Sequence, residues 1–599
     1  MSSFNPYAGL TDPQSVAIRP LSGGMRLDVP TMQVPLGAGL VVGNLIVEPN
    51  GLRRRPVLID HRSDAMISEP GGEQGVVQDI ALMWTTAGAQ KVLVLTEKYP
   101  YLLQLSGYTR LVSSYATGFL GNTGATVTGS GTQFNASVAN LAVGDAVWYS
   151  SLFLGYAKSI DSTTQITLDR APANHATKKT TRVDRCFFDA TPAYFTDYAV
   201  ISNKVVFADS GHRMMAYDGT TYAEFDSAVP YKPAVVAFFG DRAYMANTIE
   251  GAVDARQRTR WSTVTDTTDF DALQYLDLPY TPGFIRKLAP LGSLLVMYMS
   301  DSIWIGRGTS ISGDELPTAF ERYNTGGVGL AGTRAMCSYL DGHFLLMQDG
   351  AYYISSTLES QRIGKEVVKE MLRDRGGLER AIVRPDPEND SVLFAVPPTA
   401  QKTYNRIWRY NYRSNAWSYD ESDGTAIARI AYESLLTWSD LNDTTGGTAW
   451  TDMDYFKSWS TMKANGKTAT WVGSGGKVYF FDRTGQTALP VVFESGDVDF
   501  EGPDTVKTLL RLSLKVSGER STDLSFSVSV SADRGRSWKS GGVLTIPSDS
   551  DEDAVNFRCS GSTLRFRLSS NSLVEEYTIE EVVLKVSGRG GEVHLAANR

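Results

Sequence analysis

A unit of alternating strands and tight turns recurs along most of this chain, and the spacing of its copies constrains the fold more than any other feature. Each copy has an apolar strand, a polar turn, a second apolar strand and an aromatic-rich third strand, as half-buried strands do. The turn glycines of three copies, Gly240, Gly292 and Gly342, lie 52 and 50 residues apart. This period is close to one blade of a kelch-type propeller and too long for a leucine-rich solenoid.

The recurring unit predicts an all-β protein built on a β-propeller of about six blades, or seven. Radial closure of a propeller hides strand edges that would otherwise be exposed. Two stacked β-sandwiches remain the alternative, because the copies are divergent. The copies are Tyr198–Ala208, Val235–Ala246, Leu288–Ile305, Ser338–Ile354, Ile382–Ser418 and Ala469–Phe481.

The composition agrees with an all-β class. The chain has 599 residues, of which 42% are hydrophobic and 21% charged, so it is too apolar to stay unfolded and too long for a single core. Aromatic residues make up 11% and there are 55 glycines, which favours strands and tight turns. One short amphipathic helix is predicted, at Gly364–Asp374.

Residues 118–182 interrupt the recurring unit with a segment rich in Thr, Gly, Ser and Ala. Val127–Phe134, Val143–Trp148 and Ile160–Leu168 resemble the phrases G-x-G-T-x-F, V-G-D-x-V and I-x-S-x-T-x-I-T-L of a small β-barrel module inserted in many phage structural proteins. We expect a barrel that is carried by the first blade and lies on the outside of the assembly.

A second change comes after residue 486, where longer strands with one apolar and one charged face begin near Val491. Such strands predict a β-sandwich. The predicted domains are an N-terminal extended or hairpin segment joining the sandwich or the propeller (1–77), the first blade (78–117), the inserted small β-barrel (118–182), the remaining blades (183–486) and the C-terminal β-sandwich, or platform (487–599).

Residues that could carry catalysis or bind a cofactor do not form a recognisable set. The chain has no G-x-x-x-x-G-K-[ST], H-E-x-x-H or G-x-S-x-G motif, and Gly473–Lys477 is predicted to be a turn between two strands. The three cysteines lack CxxC spacing and are predicted to be core thiols, and the five histidines are predicted to lie in turns or at the surface. These residues are Cys186, Cys337, Cys559, His61, His175, His212, His343 and His594. We therefore expect no catalytic, cofactor-binding or metal-binding residues, and a protein that is not an enzyme.

Ser531–Trp538 matches the S-x-D-x-G-x-[ST]-W box of sialidases and other propeller hydrolases. That box is a folding device, in which Asp533 bonds turn amides, Gly535 takes the tight turn and Trp538 packs beneath. It occurs once, in the predicted sandwich, and we find no arginine cluster or Tyr/Glu nucleophile pair to accompany it. A propeller glycosidase is therefore the third hypothesis for function.

The segment Val41–Leu58 contains an apolar run, a Pro-Asn-Gly turn and a basic cluster before proline. From physical chemistry alone it predicts a hairpin whose basic residues, Arg53 to Arg55, are solvated. The same segment resembles the opening N-x-x-x-E-x-x-G-x-x-x-R-P of the tail nozzle proteins of short-tailed bacteriophages, also described as packaged-DNA stabilisation proteins.

Further phrases extend this resemblance over most of residues 40–590. Arg260–Val264 before Asp269, followed by Leu294–Val296 and Ser302–Ile305, resembles the family's S-x-x-x-D-P-x-x-F/W and L-V-V-F-x-x-x-S-I-W-V, although threonines stand where the family often has proline. Gly561–Leu568 resembles G-x-S-R-x-R-x-F-R-L.

The resemblance implies a structural virion protein of the phage tail, made in the cytoplasm of the host bacterium. It implies a homohexameric ring below the portal that retains and ejects the genome and attaches tail fibres. The implied partners are the portal-adaptor protein above, tail fibre, needle or plug proteins, and double-stranded DNA passing without sequence-specific binding. Duplex DNA is wider than the hole of one such propeller, so the conduit would be the axis of the ring.

The charge balance fits a conduit better than a nucleic-acid-binding protein. The 57 Lys and Arg against 66 Asp and Glu leave a net charge of −9, which argues against binding through phosphate neutralisation. The sequence has no apolar run of bilayer length and no signal-like N-terminus, so we expect neither export by an N-terminal signal nor membrane insertion. The second hypothesis for function is a non-enzymatic receptor-binding or tail hub protein.

Overall fold

The computed structural model describes most of the chain, and strands dominate it. One α-helix lies within the described residues, α1 (Val368–Met371), inside the predicted helical segment, together with 3-10 turns at Thr31–Gln33, Arg375–Arg380 and Pro387–Asn389. The described residues are 13–60, 66–104, 107–136, 139–187, 196–226, 230–251, 253–278, 281–308, 318–323, 327–373, 375–399, 401–432, 467–482, 488–500, 506–518, 520–571 and 576–588.

The described strands follow one another along the chain in five groups. The N-terminal strands are β1 (Gln14–Ile18), β2 (Gly24–Met25), β3 (Ala38–Gly43), β4 (Leu45–Glu48), β5 (Gly51–Arg54) and β6 (Val57–Asp60). The next strands form blade 1, namely β7 (Val77–Trp84), β8 (Gln90–Thr96), β9 (Pro100–Gln104) and β10 (Gly107–Arg110). The inserted strands are β11 (Ser114–Tyr115), β12 (Phe119–Thr123), β13 (Thr126–Ser130), β14 (Ala146–Tyr149), β15 (Leu152–Ser162), β16 (Gln165–Leu168) and β17 (His175–Asp184).

Blades 2 to 7 come next, and the C-terminal strands follow them. Blades 2 and 3 contain β18 (Asp197–Ile201), β19 (Lys204–Ala208), β20 (Met215–Tyr217), β21 (Tyr222–Glu224), β22 (Tyr231–Phe239), β23 (Arg242–Glu250), β24 (Val253–Trp261) and β25 (Tyr275–Asp277). Blades 4 and 5 contain β26 (Ile285–Leu291), β27 (Leu294–Met299), β28 (Ile303–Gly308), β29 (Thr318–Tyr323), β30 (Met336–Tyr339), β31 (Gly342–Met347), β32 (Gly350–Ser355) and β33 (Ser360–Ile363). Blades 6 and 7 contain β34 (Ile382–Asp386), β35 (Ser391–Ala395), β36 (Tyr404–Asn411), β37 (Ala416–Gly424), β38 (Ala426–Tyr432), β39 (Lys467–Ser474) and β40 (Lys477–Asp482). The last strands are β41 (Val491–Ser495), β42 (Lys507–Ser517), β43 (Leu524–Ser531), β44 (Lys539–Ile546), β45 (Glu552–Gly561), β46 (Arg565–Ser570) and β47 (Thr578–Gly588).

Within the described residues, the propeller has seven four-stranded antiparallel blades, of which six are separate sheets and blade 6 (β34–β37) is part of a ten-stranded sheet. Six blades are meanders of consecutive strands, and the seventh combines β38, β39 and β40 with the N-terminal strand β6. The first strand of blade 7 contacts that of blade 1, which closes the ring. The all-β propeller fold is therefore confirmed, and the alternative of two stacked sandwiches is wrong. The six copies recognised in the sequence correspond to blades 2 to 7, and the separately predicted first blade is the seventh.

Tight two-residue turns join the first two strands of several blades. Gly240 and Asp241 have φ of 54° and 60°, as a type I′ hairpin turn requires, and Gly292 has 58° at the first turn position, where a type II′ turn favours glycine. The third predicted turn glycine, Gly342, lies instead in β31, directly after a turn that begins at Leu340 with φ of 55°. A Cβ at Gly342 would come within 2.4 Å of the Ile354 carbonyl oxygen, so the glycine permits close strand approach rather than the turn.

The inserted segment folds as a closed six-stranded barrel. Its strands pair in the order β17-β12-β13-β16-β15-β14, and β14 pairs with β17 to close the barrel around its own apolar core. The strands that enter and leave the barrel lie side by side, because Ser114 pairs with Asp184. The predicted barrel module is therefore present in the fold.

The C-terminal β-sandwich is completed by the N-terminal strands. One sheet has the order β4-β5-β47-β42-β45 with β1 beside β47, and the other contains β3-β41-β46-β43-β44. The second sheet continues directly into blade 6, because β3 pairs with β37 at Gly43 and Tyr419. One hydrophobic cluster runs from Val296 in blade 4 through Phe394 in blade 6 to Leu512 in the sandwich.

The basic cluster at Arg53 to Arg55 lies at this junction, and the prediction that it is solvated is wrong. The three residues are 7%, 2% and 3% exposed. Arg53 donates to Glu48 at 2.6 Å, to Glu576 at 2.7 Å and to Asn389 at 2.9 Å. The hairpin of β4 and β5 is present as predicted, but it forms one edge of a sandwich sheet and packs against blade 6.

Asn44 connects three parts of the chain at the same junction. Its amide nitrogen donates to the Pro490 carbonyl at 2.6 Å, and its Oδ1 accepts from Arg55 Nε and from the Glu421 backbone N–H, both at 2.9 Å. A Cβ at Gly51 would come within 2.2 Å of the Ile579 carbonyl oxygen, so that position admits no side chain. Asn44 and Arg55 therefore connect the sandwich region to blade 6, whereas Gly51 permits the close approach of β5 and β47 within the sandwich.

A buried ion cluster extends the junction into blades 6 and 7. The Arg409 side chain is fully buried and donates to Asp386 and to Asp420, the latter at 2.7 Å. Asp386 also accepts from Thr470 of blade 7 at 3.0 Å, and Arg55 lies 3.7 Å from Asp420. Burial alone lowers the pKa of a guanidinium, but Asp420 and Asp386 outweigh this and hold the pKa of Arg409 above its usual value.

Replacing Arg409 by Met should lower the free energy of unfolding by about 3–5 kcal/mol, because it leaves two carboxylates buried without their cation. Arg413→Met is the matched control, since Arg413 pairs with Asp390 at 3.1 Å while 66% of its side chain is exposed. That control should change stability by about 0–1 kcal/mol. Guanidinium chloride unfolding followed by tryptophan fluorescence measures both, and equal losses would contradict the central role of Arg409.

Candidate functional site

Residues of blades 1 to 6 line a cavity of about 440 Å³ within the propeller, which is the candidate site. Its walls are the first strands of successive blades, so neighbouring positions around the axis come from distant parts of the sequence. The lining includes apolar residues such as Val236 and Phe238 and hydroxyl residues such as Thr196 and Ser338. Cavities of this size fall in the range of small-molecule sites.

Charged side chains cross this cavity in pairs. Arg384 of blade 6 donates to Asp79 of blade 1 at 2.7 Å, and Lys287 of blade 4 donates to Asp197 of blade 2. In each pair the two residues come from blades that are separated by one intervening blade. Arg334, which precedes the first strand of blade 5, donates to backbone carbonyls.

Burial and pairing act in opposite directions on these cations. Burial lowers the pKa of Arg334 to about 10, although Asp79 partly offsets this. Burial also lowers the pKa of Arg384, but the negative charge of Asp79 outweighs this effect and holds the pKa of Arg384 above its usual value. Duplex DNA is roughly 20 Å across and cannot pass through a cavity crossed by such pairs.

Sequence reasoning did not identify the charged residues of the cavity. The available signal was the presence of charged residues within the first strands of several blades, among them Asp79, Lys287 and Arg384. Which of these meet across the axis depends on blade order, which the sequence pattern alone did not resolve.

A second charged cluster fixes the inserted barrel to blade 2. Asp145, from the V-G-D phrase of the barrel, lies 3.1 Å from His212 Nε2, and Asp209 of blade 2 lies 2.8 Å from Nδ1. Asp145 also accepts from the Cys186 backbone N–H at 2.9 Å. Burial lowers the pKa of a histidine, but the two carboxylates outweigh this and raise the pKa of His212 to about 10.

Further contacts hold the barrel against blades 1 and 2. Glu224 of blade 2 is bound by Arg185 at 3.1 Å, and the Asn140 amide of the barrel donates to it at 3.2 Å. Cations of blade 1 lie over aromatic rings of the barrel, with Arg110 above Trp148 at 5.5 Å and Lys98 above Tyr156 at 5.0 Å. The barrel is therefore held in one orientation by buried charge and cation–π contacts.

The histidines differ from the prediction of surface or turn positions. His212 lies in a bend but is 1% exposed, and His343 lies within β31 and is fully buried. Burial lowers the pKa of His343 to about 4, so its neutral ring accepts from the Tyr298 hydroxyl at Nδ1 and donates from Nε2 to the Pro290 carbonyl. His175 is half-buried and stacks on Tyr149, and both His61 and His594 lie outside the described residues.

Other sequence-predicted features lie where the pattern placed them. Cys186, Cys337 and Cys559 are free and buried, as predicted for core thiols. The Gly473–Lys477 segment is the turn between β39 and β40, and the Lys477 ammonium donates to Asp60 at 2.9 Å.

The Ser531–Trp538 box has the folding contacts predicted for it. Asp533 accepts from the Ser537 backbone N–H at 2.8 Å, and Gly535 has φ of 82°. The half-buried Trp538 ring faces the Arg567 guanidinium at 4.1 Å. The box thus closes an exposed turn at the end of β43.

Within the part of the chain that the structure describes, no group of three or more His, Cys, Asp or Glu side chains could hold a metal ion. In the same residues, no helix is both long enough and apolar enough to span a membrane.

Comparisons with known proteins place the chain in no family. No protein-family model and no curated protein matches it. Among solved structures, the designed protein Ika8 is 10% identical with a TM-score of 0.32, covering 70% of this chain and 99% of its own. PorZ, a surface component of the type-IX secretion system of Porphyromonas gingivalis, is 9% identical with a TM-score of 0.28, covering 82% of this chain and 46% of its own. An exo-β-1,3-galactanase from Phanerochaete chrysosporium is 10% identical with a TM-score of 0.22, covering 85% of this chain and 100% of its own. All three TM-scores are too low to support an argument about function.

The pKa of His212 predicts a pH dependence for stability. A pKa raised to about 10, against about 6.5 in an unfolded chain, contributes stability that is fully present below about pH 6.5 and lost as pH rises through about 10. The wild type should therefore lose more thermal stability than His212→Gln between pH 7 and pH 10. His175→Gln is the matched control and should keep the wild-type slope. Identical slopes for wild type and His212→Gln would contradict the assignment.

Proposed function

We propose that this protein is a structural component of a short-tailed phage virion, a tail nozzle that forms a ring-shaped conduit for the genome below the portal. The observation that carries the proposal is the junction of sandwich and propeller. Asn44 and Arg55, in the segment that resembles the nozzle opening motif, bind Glu421 of blade 6, and Asn44 also donates to the Pro490 carbonyl next to sandwich strand β41. Glu48 and Gly51 of the same motif lie within the sandwich sheet, where Glu48 accepts from Arg53 and Gly51 lies against Ile579. The resemblance therefore extends to residues that define how the domains are assembled.

The geometry of the propeller supports a conduit formed between copies. Ion pairs cross the central cavity, so a single propeller offers no passage for duplex DNA. A conduit must then lie on the axis of a closed ring built by head-to-tail contacts. A sheet that continues from blade 6 into the sandwich through β37 and β3 gives each copy a rigid connection between its two large domains.

The distribution of charge supports passage of DNA without capture. The net charge of −9 repels phosphates. The cluster at Arg53 to Arg55 is buried and contributes little to the surface, which leaves Lys178 and Lys179 of the barrel as an exposed basic pair. We expect weak binding to duplex DNA at physiological salt, because few phosphates would be neutralised.

The proposal includes a place in the virion and a set of partners. The ring would contact the portal-adaptor protein above and tail fibre, needle or plug proteins at its periphery and tip. The inserted barrel has a fixed orientation on blades 1 and 2, which suits a peripheral attachment point.

The symmetry of the assembled protein tests the nozzle proposal. Electron microscopy of virions, or of the chain bound to its portal-adaptor partner, should show a six-fold ring with a bore at or above DNA width and a lumen of acidic and neutral polar side chains. A stable monomer or trimer in that complex, or a strongly basic lumen, would contradict the nozzle. A trimer would favour the second candidate, a non-enzymatic receptor-binding or hub protein.

The third candidate, a propeller glycosidase, predicts turnover that the nozzle does not. We expect no hydrolysis of sialosides, peptidoglycan or nucleic acid, because the charged residues of the cavity are committed to ion pairs rather than to an exposed acid and base. A discontinuous assay with a known sialidase as positive control measures this. Turnover that is abolished by Asp79→Asn or Asp197→Asn would contradict the prediction and favour an enzyme.

A further inference from the structure

The central cavity carries hydrogen-bond donors beyond those its ion pairs use. The Lys287 ammonium has three N–H donors, and among the described residues it donates to Asp197 alone. The Arg384 guanidinium has five, and it donates once to Asp79, once to the Arg334 carbonyl and once to the Val383 carbonyl. Two donors therefore remain on each cation within the described part of the chain.

The carboxylates of the cavity are engaged at both oxygens. Asp197 accepts from Lys287 at Oδ1 and from the Val236 backbone N–H at Oδ2, 3.2 Å away. Asp79 accepts from the Ile80 backbone N–H at Oδ1 and from Arg384 at Oδ2. The cavity thus offers more donors than acceptors to a ligand.

Both cations are within reach of solvent. About a fifth of the Lys287 side chain is exposed, and 17% of that of Arg384. The hydroxyl residues Thr196, Thr333 and Ser338 line the same cavity. An apolar wall lies beside them, formed by Val236, Ala237, Phe238, Leu288 and Ala289.

We propose that the central cavity binds a small oxyanion, a phosphate or carboxylate group carried on an apolar body. Lys287 and Arg384 would donate to the oxyanion, and the wall around Phe238 would pack against the apolar part. A charge-assisted hydrogen bond to an oxyanion is stronger than one between neutral groups, which favours an anion over an alcohol at this position. This site is independent of the proposed role in a ring.

Titration calorimetry on the full chain tests the proposal, with phenyl phosphate and benzoate as probes and phenol as the uncharged comparison at matched ionic strength. We expect saturable binding of at least one anionic probe and weaker binding of phenol. Comparing the two anions distinguishes a phosphate from a carboxylate site. No saturable binding of either, or equal binding of phenol, would overturn the proposal.

Two pairs of variants locate the site. Ser338 is exposed at the cavity, so the Ser338→Glu variant should fold. Its negative charge should weaken binding of the anionic probe at least severalfold by like-charge repulsion. Ser338→Gln introduces a side chain of the same size without the charge and should not weaken binding. Lys287→Met with Asp197→Asn removes the inner ion pair and should weaken binding about tenfold or more. The matched control removes an outer pair, by Lys402→Met with Glu97→Gln, and should leave binding unchanged. Equal affinities for Ser338→Glu and Ser338→Gln would place any binding outside the cavity and overturn the proposal.

Discussion

The fully buried Arg409 guanidinium, held between Asp386 and Asp420, is the interaction on which the rest of the structure depends. Through these carboxylates it connects Thr470 of blade 7 and Arg55 of the N-terminal segment, so three parts of the chain share one polar network. A buried charge of this kind tolerates little rearrangement, because moving any partner leaves an ion without compensation. It therefore constrains how blade 6, blade 7 and the N-terminal segment pack together.

The inserted barrel follows the same principle on a smaller scale. His212 lies between Asp145 of the barrel and Asp209 of blade 2, and the positive charge of its ring pairs with both carboxylates. This buried contact, rather than a flexible linker, therefore determines the orientation of the barrel. The two junctions are alike in using buried cations to position domains whose own cores are apolar.

Local patterns in the sequence were sufficient for the class of fold and for several details. Alternating strands and the spacing of Gly240 and Gly292 predicted a propeller, the phrases around Asp145 predicted the barrel, and the isolation of Cys186 predicted a buried thiol. Contacts between residues that lie far apart in the sequence could not be predicted. Arg53 to Arg55 have the local pattern of a solvated turn, and only their contacts with Asn389, Glu421 and Glu576 bury them. The same limit applies to the candidate site, because Asp79 and Arg384 are brought together by ring closure and not by any spacing along the chain.

Ring closure by the N-terminal strand also orders the events of folding. Strand β6 completes a blade whose other strands lie more than three hundred residues later, and β1 to β5 complete a sandwich whose remaining strands begin at Val491. During synthesis, the first sixty residues leave the ribosome long before their partners exist, with apolar strand edges unpaired. The propeller cannot close until β38 to β40 have emerged, and the sandwich cannot close until β41 to β47 have followed. Contacts of such large sequence separation form slowly, so nascent chains would spend an extended interval dependent on chaperones or on the early blades for protection.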